Sequence, residues 1–258
     1  MANTLEFPVL LGLISERSVA FRGAVASASG LDVRVPSCPE WTLFDLVRHL
    51  GKVHRCWAAA VAAGPASAPP DETALEGILA VSREREALLA WSAEATEQLL
   101  CALRESGPDR GCWTWWGGSQ SPQTCGAVAR HQLQEVAVHT YDAQLTLGAP
   151  QPLPDEAALD GVEEFLSTSC SWTAPWPHKP AAVDFHATEG RSWRLSLRAE
   201  GTRTSRLPHS PGTLPAVSAR GTAGELVLAL YGRIPVDSLR VDGDRRVFDR
   251  LLARDPDR

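Results

Sequence analysis

The chain has no excess of positive charge. Its 258 residues carry 25 Lys and Arg against 31 Asp and Glu, a formal net charge of −6. The electrostatic footprint of a nucleic-acid or anionic-membrane binder is therefore missing. No apolar run approaches the roughly 20 residues that a membrane-spanning helix needs. The opening MANTLEFPVLLGLISERS lacks a basic segment ahead of its short apolar stretch, and Glu6 stands just before that stretch. It reads as the start of a helix and not as a signal peptide, so a cytoplasmic protein is expected. The six cysteines (Cys38, Cys56, Cys101, Cys112, Cys125 and Cys170) include no C-x-x-C pair and no tight cluster. That argues against a zinc–thiolate site and for reduced thiols, several of them buried as small apolar side chains. No nucleophile elbow, glycine-rich phosphate loop or internal repeat is evident. Lysine is nearly absent, at Lys52 and Lys179 alone, an arginine bias that accompanies a high-GC genome.

What is present is ordinary globular composition, 44% hydrophobic and 22% charged, with length for one large domain or two modest ones. Helical spacing runs from about Glu6 to Ser29, with Gly30 the expected left-handed stop. LDVRVPSCPEWT reads as a proline-punctuated loop. Thr42 with Asp45 three residues on makes a capping box and opens a second helix through LFDLVRHLGKVHRCWAAAVAA. After the linker GPASAPPD, a third helix covers about Thr73 to Glu105. The turn-rich GPDRGCWTWWGGSQSPQ holds Trp113, Trp115 and Trp116, read first as closing the end of a bundle and second as a substrate wall. A fourth helix runs from Ser121 or Thr124 to Leu147. Four such helices with loops between them predict an antiparallel bundle over residues 1–150.

Beyond residue 150 the pattern changes. A helix from about Asp155 to Ser169 and the connector SWTAPWPHKP occupy 151–180. The period then drops to two in AAVDFHAT, SWRLSLRAEG and TRTSRLP, three consecutive strands. A further strand leads into a helix boxed by Thr222 and Glu225, followed by DSLRV, the turn DGD and a terminal helix. Strands and helices in separate runs make residues 151–258 an α+β domain.

The chemistry concentrates in HQLQEVAVHTYDAQ, residues 131–144. Glu135 and His139 stand four apart, on one helix face one turn apart, among Val136, Ala137 and Val138. A carboxylate and an imidazole on a packed face need partners. A plain Glu–His hydrogen bond or a surface pair satisfies that need, and so does a shared metal ion. On the second helix His49 lies in the inward stripe of Leu46, Val47, Leu50 and Val53. His54, about 140° away around the helix, is expected at the rim or exposed. His49, Glu135 and His139 can then converge as three N, N and O ligands with an open fourth position, the composition of a catalytic rather than a structural metal site. His131, about 12 Å along the axis from His139, is expected at the site's rim. Asp142 stands three residues beyond His139 and can hold its free ring nitrogen as an outer partner. For Asp45 the capping role is the stronger reading.

VPSCPEWTLFDLVRHLGKVHRCWA and ARHQLQEVAVHTYDAQ resemble the two signatures of the N-terminal domain of the mycothiol-dependent maleylpyruvate isomerase family, a DinB-like metal-binding bundle. RGTAGELVLALYGRIPVDSLRVDGDRRVFDRLL resembles that family's small C-terminal domain, which is sterol-carrier-like in shape. The resemblance covers nearly the whole chain and implies an α+β protein with His49, Glu135 and His139 as ligands of Zn²⁺ or another divalent ion. It also implies mycothiol, a small thiol of actinobacteria, as cosubstrate. One departure concerns Arg130, His131 and Gln134, where relatives often read R-R-x-x-H-E, so the substrate pocket can differ.

A metal-held thiol is a thiolate at neutral pH and attacks an electrophilic carbon. The expected activity is therefore cis–trans isomerisation of a maleylpyruvate-like substrate or S-transfer to an electrophile. An arginine of the second domain, among Arg220, Arg233, Arg240 and Arg245, can hold a substrate carboxylate. Two alternatives stay open: a thiol-independent metalloenzyme of specialised metabolism, and a non-catalytic metal-binding or stress-response protein.

Overall fold

A computed structural model describes residues 5–70, 81–208 and 214–253 of the chain. It divides into two compact units, Met1–Trp115 with Gln123–Leu153, and Trp116–Pro122 with Pro154–Arg258. The fold is α+β, with seven helices among the described residues.

The first unit is a bundle of four long helices. Helix α1 (Phe7–Ser27) carries Pro8 in its first turn, where a missing N–H leaves no bond unmade. It stops at Ala28 in extended conformation, not at a left-handed Gly30. The chain leaves the helix early because residues 31–33 are drawn along the start of the next one, Val33 and Leu31 accepting bonds from the amides of Leu43 and Phe44. The expected loop after it is a two-stranded antiparallel ribbon, β1 (Arg34–Val35) and β2 (Cys38–Thr42), with an irregular register. Pro36 and Pro39 argue against strands in a sheet interior, but so short an exposed ribbon tolerates them.

The capping box at α2 (Leu43–Ala63) forms as expected. The Asp45 amide donates to Thr42 Oγ1 at 3.3 Å and the Thr42 amide to Asp45 Oδ2 at 3.1 Å. Helix α3 spans Arg85–Ser106 and α4 spans Cys125–Leu145. The expected start of the third helix near Thr73 lies outside the described residues, and residues 81–84 are not helical. The helix begins only after Glu84, whose side chain caps it by accepting from the amides of Glu86 and Ala87. Packing is most extensive between α1 and α4 and between α2 and α3, around a core that includes Phe21, Val25, Leu46, Val47, Leu50 and Val136. Gly51 makes the second pairing close: a Cβ there would stand 2.0 Å from the Trp91 ring, on which the Arg55 guanidinium stacks at 4.2 Å. No helix among the described residues is long and apolar enough to cross a membrane.

In the second unit, α5 (Asp155–Thr168) precedes strands β3 (Ala181–Ala187), β4 (Ser192–Arg198), β5 (Gly201–Arg206), β6 (Val217–Gly221) and β7 (Arg240–Gly243). The sheet order is β5-β4-β3-β6-β7, antiparallel except for the parallel β3–β6 pair. Burial along β4 alternates, with Trp193, Leu195 and Leu197 inward, as a strand with one packed face requires. Helix α6 (Ala223–Leu230) has the expected box of Thr222 and Glu225, and α7 (Arg245–Leu252) brings Phe248 to 5.8 Å from Phe185.

The most exacting polar contact of this unit is a forked pair across β3 and β4. Arg194 Nε and Nη2 donate to Asp184 Oδ1 and Oδ2, each at 2.7 Å, and the Asp184 side chain is 1% exposed. Removing the arginine alone leaves a buried carboxylate without a counter-charge. Arg194→Leu is expected to cost about 3 kcal/mol in urea denaturation, whereas Asp184→Leu together with Arg194→Leu is expected to recover most of that loss. An Arg194→Leu cost within the noise of the fit would show that water reaches the carboxylate.

Candidate metal centre

Helices α2 and α4 aim three side chains at one point. His49 Nε2 lies 2.9 Å from Glu135 Oε1, and His139 Nε2 lies 3.3 Å from the same oxygen. One ligand atom from each residue falls within 4.8 Å of the others. The phase of α2 is set by the Thr42 box, which puts His49 seven residues after the cap and toward α4. On α4 the spacing of four stacks Glu135 under His139. Tetrahedral zinc with bonds of about 2.0–2.1 Å has ligand–ligand edges of about 3.3 Å, close to two of the three separations here. The donor set therefore fits a divalent ion.

The charges are arranged for a cation. Burial alone would raise the Glu135 pKa, but hydrogen bonds and charge from His139 and His49 hold it well below the usual carboxylate range. Burial alone would lower the His139 pKa, yet hydrogen bonds to Asp142 and Glu135 carry it up to about 9. Asp142 is fully buried, with Oδ2 at 2.8 Å from His139 Nδ1. A proton on Nδ1 donated to that carboxylate leaves Nε2 turned toward Glu135, the outer-partner arrangement that fixes an imidazole ligand.

The ribbon completes the surround. Ser37 Oγ donates to Asp142 Oδ1 at 2.6 Å, and Cys38 Sγ stands 4.0 Å from Oδ2. Trp41 of β2 lies with its ring 4.7 Å from that of His49 and 6.1 Å from that of His139. Sequence reasoning missed all three residues. Their signal was their place, immediately ahead of the Thr42 cap in the segment that resembles a family signature.

His49 is the open side of the trio, its side chain 33% exposed against 17% for Glu135 and 7% for His139. Two clefts meet there. One, of about 310 Å³, is walled by Trp57, Trp113 and Trp115; the other is lined by Glu40, Trp41 and Arg48. Trp113 and Trp115 thus border a cleft instead of merely closing the bundle. Trp116 is buried in the other unit and donates from Nε1 to Pro122 O.

His131 is not among the converging atoms. It stands edge-on to Trp57 and Trp115, at 5.9 and 5.7 Å between ring centres. His54 corrects the expectation of a rim residue. It is 1% exposed, because it shares the buried face of α2 with Leu46, Val47 and Leu50 and packs toward α3. There His54 Nδ1 meets Thr96 Oγ1 at 3.3 Å, and Arg22 of α1 reaches the same hydroxyl. Two of the four arginines considered for substrate binding are held by nearby acids of their own unit, Arg245 by Asp237 and Asp249, and Arg240 by Asp242. Arg233 donates to Tyr231 O, and Arg220 is exposed on β6. Of the cysteines, Cys112 and Cys125 are buried and Cys101 is exposed, all as free thiols.

Residues 11–144 match the family model of the mycothiol maleylpyruvate isomerase N-terminal domain, and residues 156–250 match that of the MDMPI C-terminal domain. Among solved structures, the crystal structure of the mycothiol-dependent maleylpyruvate isomerase is similar at 15% identity and a TM-score of 0.55, over 92% of this chain and 93% of that one. A histidine-to-alanine mutant of an enzyme of the same name is similar at 14% identity and a TM-score of 0.57, with the same coverage. At these identities the likeness is one of fold. No curated protein matches the chain.

The buried His54 makes the first unit sensitive to acid. Burial pushes its pKa down from 6.5 to about 4, with Arg22, Arg55 and His139 adding to the shift and Glu135 opposing it. Below pH 6.5 the unfolded chain takes up a proton that the folded chain refuses until about pH 4, so stability present above that window is lost as pH falls through it. Between pH 7 and 4.5 the wild type is expected to lose on the order of 2 kcal/mol more than His54→Gln in chemical denaturation. Equal losses would show that His54 is hydrated in the folded protein.

Proposed function

Because the chain belongs to the mycothiol maleylpyruvate isomerase family, we propose that it is a metal-dependent enzyme working through a low-molecular-weight thiol, with His49, Glu135 and His139 as the ligands of its ion. The observation that carries this reading is the convergence of two ring nitrogens and one carboxylate oxygen within 4.8 Å, on a side left open at His49. Two imidazoles and a carboxylate are a donor set that suits zinc, and mycothiol is the thiol that the family name supplies. Bound there, a divalent ion supplies the Lewis acidity that keeps a thiol deprotonated and nucleophilic at neutral pH, the chemistry shared by thiol-assisted cis–trans isomerisation and S-transfer.

The protein's own residues set the terms of that chemistry. Glu135 contributes the negative charge that offsets a cation in a site of low exposure. Asp142, held by Ser37, keeps the His139 ring in one tautomer and one orientation. Trp41 lies against the two imidazoles and limits the water that reaches them, which preserves the strength of charge interactions within the site. His49, at the meeting of two clefts, faces the side from which a thiol and a second reactant approach. The related structures are named as maleylpyruvate isomerases, which favours thiol-assisted cis–trans isomerisation over S-transfer and leaves the carbon substrate to be set by the clefts beside His49.

Protein purified without added metal or chelator is expected to hold about one divalent ion per chain. Glu135→Ala and His139→Ala are expected to lose it with their helical circular-dichroism signal intact. Asp142→Asn is expected to retain the ion with affinity weakened about 10–100-fold. Turnover of an activated cis-alkene substrate should require both the ion and an added thiol. A wild-type protein that binds no metal after zinc reconstitution would overturn the ligand assignment, and turnover indifferent to thiol would overturn the thiol-dependent reading.

A further inference from the structure

The cleft beside His49 has a composition that the site chemistry alone does not demand. Its floor is a single stripe of α2: His49, Lys52, Val53, Cys56 and Trp57 stand at i, i+3, i+4, i+7 and i+8, the spacing of one helix face. From His49 to Trp57 that face runs about 12 Å along the axis. The stripe begins at the open side of the ligand trio and ends in a cluster of rings. Trp113 lies 5.9 Å from Trp57 with the two planes 30° apart, and His131 stands edge-on between Trp57 and Trp115. Trp115 is 38% exposed and is one of few large apolar side chains so placed among the described residues. An exposed tryptophan at the mouth of an apolar cleft marks a place where something flat and apolar binds.

Charge narrows the class further. Among the described residues that line the cleft, Lys52 is the one cation beside the histidine and there is no arginine. A small dianion gains little from three indole rings and requires more than one cationic partner, preferably forked. A planar apolar molecule with one anionic group uses the whole surface, its ring on the tryptophans and its charge on Lys52. The volume of about 310 Å³ falls at the lower end of ligand pockets, which run roughly 300–1,000 Å³.

We infer that this cleft binds the carbon substrate, and that the substrate is an aromatic or similarly planar apolar electrophile with a single anionic group rather than a small dicarboxylate. The inference rests on the proposed function for the placing of the reaction at His49. The cleft's own preference is tested without any reaction.

Unreactive probes suffice: 2-naphthoate, 2-naphthol and maleate, titrated calorimetrically into zinc-loaded protein. 2-Naphthoate is expected to bind at least about tenfold more tightly than maleate, and Trp115→Ala and Trp113→Ala are each expected to weaken it about tenfold. Metal content should be unchanged in both variants. Lys52→Met should weaken 2-naphthoate several-fold and leave 2-naphthol unchanged. Maleate binding as tightly as 2-naphthoate, or tryptophan variants that leave the 2-naphthoate affinity intact, would overturn the inference. Trp115, with its exposed ring, decides the matter if Trp113→Ala does not fold. Protein without bound metal that still prefers 2-naphthoate would count against the proposed function and leave the cleft assignment standing.

Discussion

The Glu135 carboxylate stands largely out of water between two imidazoles, its Oε1 shared by His49 at 2.9 Å and His139 at 3.3 Å. A buried anion is costly unless neighbours of opposite charge and good geometry surround it. Much of the first unit can be understood as meeting that condition. His139 is held against Glu135 by Asp142, Asp142 is held by Ser37, and Ser37 lies in the turn between β1 and β2. The stabilised positive charge at His139 and the low pKa of Glu135 are two expressions of one arrangement, a small volume in which positive charge is favoured.

The same helix that supplies His49 also builds the approach to it. Helix α2 has two working faces. One is closed, with Gly51 admitting the Trp91 ring and His54 enclosed near Thr96. The other is open, running from His49 past Lys52 to Trp57. The capping box at Thr42 sets the rotation of both faces at once, since the start of the helix fixes the direction of every later side chain. A local hydrogen-bond motif thus governs the position of a ligand, the floor of a cleft and the burial of a histidine.

Three-dimensional closeness here couples residues whose chemistry differs. The trio is polar and suited to an ion. The tryptophan cluster is apolar and suited to a flat molecule. They adjoin at His49, and that adjacency makes a two-reactant site a coherent reading of the unit. The second unit contributes a sheet whose buried polar pair, Asp184 with Arg194, is satisfied internally. Its arginines at 240 and 245 are likewise held by acids close in sequence.

Much of this was legible in the sequence because it depends on spacing along one segment. Both capping boxes, the alternating strand at Trp193 to Leu197, the bundle helices and the stacking of Glu135 under His139 follow from periods of 3.6 and 2. His49 stands at the edge of the apolar stripe formed by Leu46, Val47 and Leu50, partly exposed and not fully inward. The reading failed at His54, which stands four residues after Leu50 and seven after Val47 on the buried face of α2, although Lys52 and Arg55 flank it in the chain. It failed at residues 34–42, where the prolines spoke against strands and the pairing partner was another part of the same loop. It left Trp113, Trp115 and Trp116 together, although the fold sends the first two to a cleft and the third to the other unit. Local spacing determined which side chains could share a face. Only tertiary packing decided which faces met, because contacts such as Ser37 with Asp142, 105 residues apart, are settled by how whole elements bury their surfaces against one another.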